Sequence, residues 1–351
     1  MAMSFEQVAE MAQRRVADCP VIVLGSGATI PYGLPSMPQL SDGLLSRIIP
    51  EGTSDTEVWE RFKQRLDATS DLERALQDVT LTESLLSQVI HATWDLVAEK
   101  DRMMCDAVLV DANYLPLTRL FRHLLRTAQA SVEVITTNYD RMVEYAANAA
   151  EAACYTGFSP GIFGGFITDF ASVRCNLRCP GTQGHVLLWK VHGSLDWFEN
   201  PTRQAFAVHG AWKVPSSCRP LMVTPGLAKF RETHRDPFRT VMTQADLALE
   251  KAKGYLCIGY GFNDEHIQPK LLSRLSKNDV PIVVITKTLS QAGHDLLLAK
   301  PTKNFLILES RENGTMVYYP DCAAGTLLHD RQIWSLPSFL DMVVGGVGER
   351  R

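Results

Sequence analysis

The run PVIVLGSGA, residues 20–28, decides how the rest of the chain is read. Val21, Ile22, Val23 and Leu24 show no polar alternation, the mark of a strand buried on both faces, and Gly25 and Gly27 then open a tight turn at its carboxyl end. Strands of that kind belong to parallel sheets covered by helices on both sides. Just upstream, Phe5, Val8, Ala9, Ala12 and Val16 form one helical stripe. Just downstream, IPYGLPSMP, residues 30–38, sets prolines where a helix would otherwise follow the turn.

Residues 40–129 read as helix throughout. Leu72, Ala75, Leu76 and Val79 give one apolar face, while Leu86, Val89, Ile90, Leu96 and Val97 give another. A stripe of Leu117, Leu120, Phe121, Leu124 and Leu125 leads into VEVIT, residues 132–136, a second buried strand. A helix is expected from residue 140 to about 153, followed by weak periodicity to 184 that reads as loops or a small excursion. HVLLWKV (185–191), LMV (221–223), YLCIGY (255–260), VPIVVI (280–285) and NFLIL (304–308) supply more strands, with helices over 237–253, 264–276 and 289–299. TMVYY (315–319) and the helix-like IWSLPSFLDMVV (333–344) finish the chain. The expected fold class is α/β: a doubly wound, mostly parallel, Rossmann-like sheet formed by residues 1–39 and 130–300, interrupted by a helical insertion at 40–129 and completed by 301–351.

The 351 residues suit one large α/β domain with an insertion, and 46% apolar with 21% charged residues excludes a disordered or collagen-like chain. A net charge of -4 gives no overall positive field for nucleic acid or anionic lipid, so no direct nucleic-acid binding is expected. No apolar run approaches the roughly 18 residues that span a bilayer. Glu6 and Glu10 fall where a signal peptide would be apolar, so no membrane association and a cytoplasmic location are expected. The eight cysteines form no Cys-x-x-Cys pair, and Cys154, Cys175, Cys179 and Cys218 fit no common zinc spacing. No metal site, zinc included, is expected, and the thiols are expected to be free.

In a parallel sheet the ligand lies outside the carboxyl ends of the strands, so the chemistry should sit in the turns that follow each apolar run. Four stand out: residues 25–28, 136–140, 190–194 and 259–264. Gly25 and Gly27 would let backbone amides approach a phosphate. Asn138 offers an acceptor and donors at a strand end, and Asp140 is better placed than Asn138 to cap the helix that follows. Asn138 is thereby left without a structural duty. His192, after VLLWKV and before Gly193, is positioned as a general base titrating near neutral pH.

Taken together, GSGATIPYGLPS (25–36), TTNYD (136–140), KVHGSLDWF (190–198) and GYGFNDEHI (259–267) resemble, in order and spacing, the motifs of the sirtuin superfamily over roughly residues 20–290. The closer similarity is to its bacterial branch of NAD-cleaving domains from phage-defence systems. TTNYD corresponds to the sirtuin TQNID element, His192-Gly193 to the catalytic HG, and Gly259-Tyr260-Gly261 to the later GTS turn. Pro35-Ser36-Met37 replaces the Asp-Phe-Arg of the sirtuin GIPDFR element, and the paired cysteines of the deacetylase zinc module are missing.

The resemblance implies an NAD+ hydrolase releasing nicotinamide and ADP-ribose, acting in anti-phage defence by NAD depletion. It implies Asn138, His192 and Asp140 as catalytic residues, with Gly25, Ser26, Gly27, Ala28, Thr29 and Thr137 around the phosphates and ribose. Gly259, Tyr260 and Thr286 would line the adenosine side. The implied partners are NAD, further copies of the chain in a homo-oligomer, and a separately encoded ATPase or nucleic-acid-guided protein. Two other readings stand beside it: an NAD-dependent deacylase or ADP-ribosyltransferase, and a non-catalytic module that binds an NAD derivative for assembly. The two apolar faces of the insertion are expected to leave surplus surface for an interface between copies.

Overall fold

The computed structural model describes residues 3–18, 20–126, 130–170, 181–224, 235–264, 266–278, 280–299 and 304–346. Strand β1 (Val21–Leu24) runs through the middle of a nine-stranded sheet, with all of its side chains buried. On one side it pairs with β2 (Ser131–Thr136), followed by β5 (His185–Lys190) and β3 (Ala153–Tyr155); on the other lie β9 (Tyr255–Ile258), β10 (Ile282–Thr286) and β11 (Phe305–Arg311). All of these pairings are parallel. Strands β12 (Gly314–Tyr319) and β13 (Cys322–His329) extend the β11 edge in antiparallel fashion. The fold is the α/β, doubly wound, mostly parallel one that the apolar runs imply. Its strand order reverses at β1, which opens a crevice at that strand's carboxyl end.

Alternate residues of each strand enter separate cores. Ile22, Leu24, Val132, Val134, Leu256 and Ile258 face one layer, whereas Val21, Val23, Ile135, Tyr255 and Cys257 face the other. The first layer holds α1 (Phe5–Ala17), which buries Val8, Ala12 and Val16, together with α6 (Pro116–Leu125), α7 (Met142–Ala149) and α11 (Leu336–Val344). The second holds α8 (Phe238–Lys251), α9 (Ile267–Asn278) and α10 (Gln291–Leu297). Each buried Leu, Ile, Val or Phe contributes about 1.5–3 kcal/mol, so the central strands resist any register slip.

The insertion has its own core. Leu40 and Leu44 of α2 (Met37–Arg47), Trp59 and Phe62 of α3 (Gly52–Thr69), Leu76 of α4 (Leu72–Asp78), and Leu85 and Val89 of α5 (Glu83–Val110) pack together. Farther along α5, Trp94, Val97 and Met104 join the sheet's first core instead, and Trp94 donates its indole N–H to the Leu195 carbonyl at 3.0 Å. One 28-residue helix, about 42 Å long, thus ties the insertion to the sheet. On the two faces singled out in the insertion, Leu76, Val89, Ile90 and Val97 are buried within the chain, whereas Ile49, Met103, Leu109 and Val110 elsewhere in it are exposed.

Two expectations are corrected. LMV forms β8 (Arg219–Met222), which lies outside the central sheet in a separate antiparallel sheet with β4 (Phe163–Gly165), β7 (Ala205–Val208) and β6 (Gly193–Glu199). The stretch read as loops contributes β3 and β4. The proline-rich turn keeps an α-helix from following β1 directly, as expected: after two short 3-10 turns α2 starts only at Met37, where Ser36 and Gln39 form a capping box and Pro38 sits in the first turn, which requires no backbone N–H.

Candidate active site

The turns that follow β1, β2, β5 and β9 meet at one cavity of about 240 Å³. Gly25, Ser26 and Thr29 line it from the first turn, Thr137, Asn138 and Asp140 from the second, His192 from the third, and Tyr260 from the fourth. Four residues placed in the site by resemblance stand off from it. Gly27, Ala28 and Gly259 lie behind the lining, and Thr286 closes its own turn by donating to the Thr288 carbonyl at 2.9 Å.

The glycines serve contact between turns. Gly25 N–H donates to the Ile258 carbonyl and Gly27 N–H to the Gly259 carbonyl, while Gly259 N–H reaches the Ile285 carbonyl. A Cβ on Gly25 would stand 2.5 Å from Gly259 O, and one on Gly259, whose φ is +56°, would stand 2.3 Å from Ala28 N. Ala28 and Thr29 donate back into the same turn. Ser26 N–H is therefore the amide of residues 25–29 that makes no hydrogen bond among the described residues, so the turn is not the open cradle of amides that its glycines imply. Gly193 likewise serves packing: at φ +94°, its missing Cβ leaves room for the Leu221 carbonyl of β8.

Asn138 has the structural duty its sequence context did not suggest. Its Nδ2 donates to Gly25 O at 3.1 Å and lies 3.4 Å from Thr29 Oγ1, joining the first two turns. Its amide oxygen takes no described hydrogen bond and remains for a ligand. Asp140 caps as expected, accepting from Met142 N–H at 3.1 Å. Burial, opposed by the nearby Lys190 ammonium, pushes the Asp140 carboxyl up to about 7. Lys190, fully buried, donates to the Asp140 carbonyl and to Glu144 Oε1 at 2.8 Å, which fixes the loop from beneath.

Arg141 locks the same loop to two other elements. It donates to Asp101 of α5 at 2.6 and 2.7 Å, to Asp196 of β6 at 2.6 Å and to the Ala211 carbonyl at 2.7 Å. Burial alone would pull the guanidinium down, but Asp196 and Asp101 reverse this and hold it charged. Tyr139 donates its hydroxyl to the Val223 carbonyl at 2.7 Å, joining the loop to the small sheet.

Several lining residues escaped sequence reasoning. Leu34, Pro35, Met37, Leu40 and Val97 form an apolar wall, and Glu73 of α4 adds a carboxylate to it. Asn263 and Asp264, inside a turn the sequence singled out, also line the cavity. Asp264 Oδ2 stands 2.8 Å from His192 Nε2, and both side chains are nearly buried. The Tyr260 hydroxyl is buried with no hydrogen-bond partner among the described residues, and burial pushes its phenol far up, so it keeps its proton.

Cys175 and Cys179 lie outside the described residues. Among the described residues, no group of three or more His, Cys, Asp or Glu is placed to hold a metal, and no helix is long and apolar enough to cross a membrane.

A doubly wound parallel sheet, with an amide, an imidazole and carboxylates converging where the strand order reverses, defines a ligand-binding α/β protein of Rossmann type. Residues 132–292 match the family model described as a SIR2-like domain. Over that stretch the chain is similar to SIR2-like domains. Among solved structures it is similar to a Sir2 homologue in complex with NAD, at 14% identity over 87% of this chain and 88% of that one, with a TM-score of 0.44. It is also similar to a Sir2 bound to acetylated peptide, at 11% identity over 82% and 89% of the two chains, with a TM-score of 0.41. No curated protein matches the sequence.

Proposed function

We propose that the chain is an NAD+ glycohydrolase that releases nicotinamide and ADP-ribose, acting as a regulated effector of bacterial anti-phage defence. The observation that carries the reading is the convergence of Ser26, Asn138 and His192 on one cavity at the sheet's switch point. A nucleotide fits there because Ser26 N–H and the Asn138 amide oxygen are left for it by the turns' own bonding.

The chemistry asked of the residues is modest. The bond between the ribose C1′ and the nicotinamide nitrogen breaks with its electron pair leaving on nicotinamide, through an oxocarbenium-like state. Asn138 holds the ribose and the incoming water, and the Leu34, Met37 and Val97 wall keeps other water away. Water bonds to C1′ as His192 accepts its proton. Asp140, whose carboxyl burial pushes up to about 7, orients the ribose or the nicotinamide carboxamide. Because unchecked NAD loss would kill the host cell, the activity is held off until a partner, such as a separately encoded ATPase or nucleic-acid-guided protein, releases it.

Incubating the purified protein with NAD+, alone and with an extract of phage-infected cells, should yield equimolar nicotinamide and ADP-ribose. His192→Ala and Asn138→Ala should each lower that yield at least about 100-fold while the chain stays folded. Near-wild-type release by either variant would remove that residue from the mechanism. Formation of an acylated ADP-ribose from an acylated peptide would favour the deacylase reading instead.

A further inference from the structure

Asp264 has two oxygens with two separate tasks. Oδ1 accepts the N–H groups of His266 at 3.0 Å and Ile267 at 2.9 Å, the usual work of a residue capping a helix, here α9. A cap needs only that one oxygen. Oδ2 is turned the other way, into the wall of the cavity, where it lies 2.8 Å from His192 Nε2. The two side chains are 6% and 12% exposed, so this carboxylate has been taken out of water at a cost that capping alone does not explain. Helix α9 anchors the arrangement by burying Ile267 and Leu271 in the second core.

We propose that Asp264 is the positioning residue for His192, turning one imidazole nitrogen toward its own carboxylate and leaving the other to take the proton from water. The assignment rests on the glycohydrolase reading and adds the residue that orients its base. The contact lacks the alignment of a full hydrogen bond, as base and orienting groups often do before substrate tightens them. The carboxylate also favours the imidazolium that forms once the proton has been accepted. The other titratable groups around the cavity are Glu73 on α4, Tyr139 and Asp140 after β2, and Tyr260 after β9. The His266 ring lies 6.5 Å from that of His192.

Asp264→Asn separates the two tasks, because the amide oxygen still caps α9 while the charge is lost. In this variant kcat for nicotinamide release should fall at least about tenfold with KM within a factor of about three. The nitrogen chemical shifts of the His192 ring, assigned by NMR with His192→Ala, should show one tautomer, protonated on the nitrogen facing Asp264, in the wild type and a mixture of tautomers in Asp264→Asn, without any turnover. Wild-type kcat and an unchanged tautomer in Asp264→Asn would overturn the proposal, leaving Asp264 as a cap. A changed tautomer in a protein that releases no nicotinamide would keep the pair and overturn the glycohydrolase reading.

Discussion

Burial of single side chains around the cavity sets measurable quantities. Because the folded state holds the Asp140 proton up to about 7, it binds more protons than the unfolded chain between about pH 4 and 7. Asp140 therefore contributes most to stability below the unfolded carboxyl's own range, and that contribution is lost as pH rises through 7. Asn at this position still accepts from Met142 N–H. Urea unfolding at pH 5 and pH 8 should accordingly show Asp140→Asn gaining on the wild type by on the order of 2 kcal/mol at the higher pH. An unchanged difference would mean that Lys190 already keeps the carboxylate ionised. At this scale the sequence was legible in part: His192 and Asn138 were found from their place after buried strands. Asp264 was not singled out, because a helix cap reads the same whether or not its second oxygen has other work. The glycines carry a double reading, since a backbone that admits a phosphate and one that admits another turn demand the same residue.

Among the elements, the interlocked turns after β1 and β9 carry the strictest demand. Gly259→Ala places a methyl group against the Ala28 amide in a left-handed conformation, and nothing at that spot is a flexible side chain. The loss should exceed about 3 kcal/mol, seen as a lowered urea midpoint with an unchanged m-value. A near-wild-type midpoint would show that the two turns can part. The insertion contributes to the site through Met37 and Leu40 of α2, Val97 of α5 and Glu73 of α4. With Glu73 in an otherwise apolar wall, its negative charge would attract the cationic nicotinamide ring if the site takes NAD+ as proposed, and Glu73→Gln should then raise KM for NAD+ about tenfold with little change in kcat, measured by nicotinamide release. An unaltered KM would place the ring elsewhere. Glu73 could not be read from sequence, because its contact depends on how four helices fold over the sheet edge. The central strands could be read because each is buried on both faces, as in VIVL and IVVIT. Strand β8 is just as apolar at its end, yet which sheet a strand joins is decided by residues far away in the chain, and β4 is too short to declare itself.

For the whole molecule, the packing decides where contacts with other copies can form. The faces around Leu76 and Val97 are spent inside the chain, whereas Leu109 and Val110, at the end of α5, are 80% and 91% exposed. If the chain forms the homo-oligomer that its sequence resemblance implies, Leu109→Lys with Val110→Lys should lower the mass measured by light scattering at micromolar concentration. An unchanged oligomer would put the interface elsewhere, and a wild-type monomer would remove it altogether. The central strand has one more consequence, which belongs to the time of synthesis. A ribosome that has delivered the chain only as far as β8 has already made Asn138 and His192, and the parallel pair β1 and β2 can form. The Gly25 turn still lacks the Gly259 carbonyl it leans on, and His192 still lacks Asp264. If the site cleaves NAD+ as proposed, prematurely terminated fragments are thus expected to be inert, and the substrate is safe from its maker until translation has passed the ninth strand.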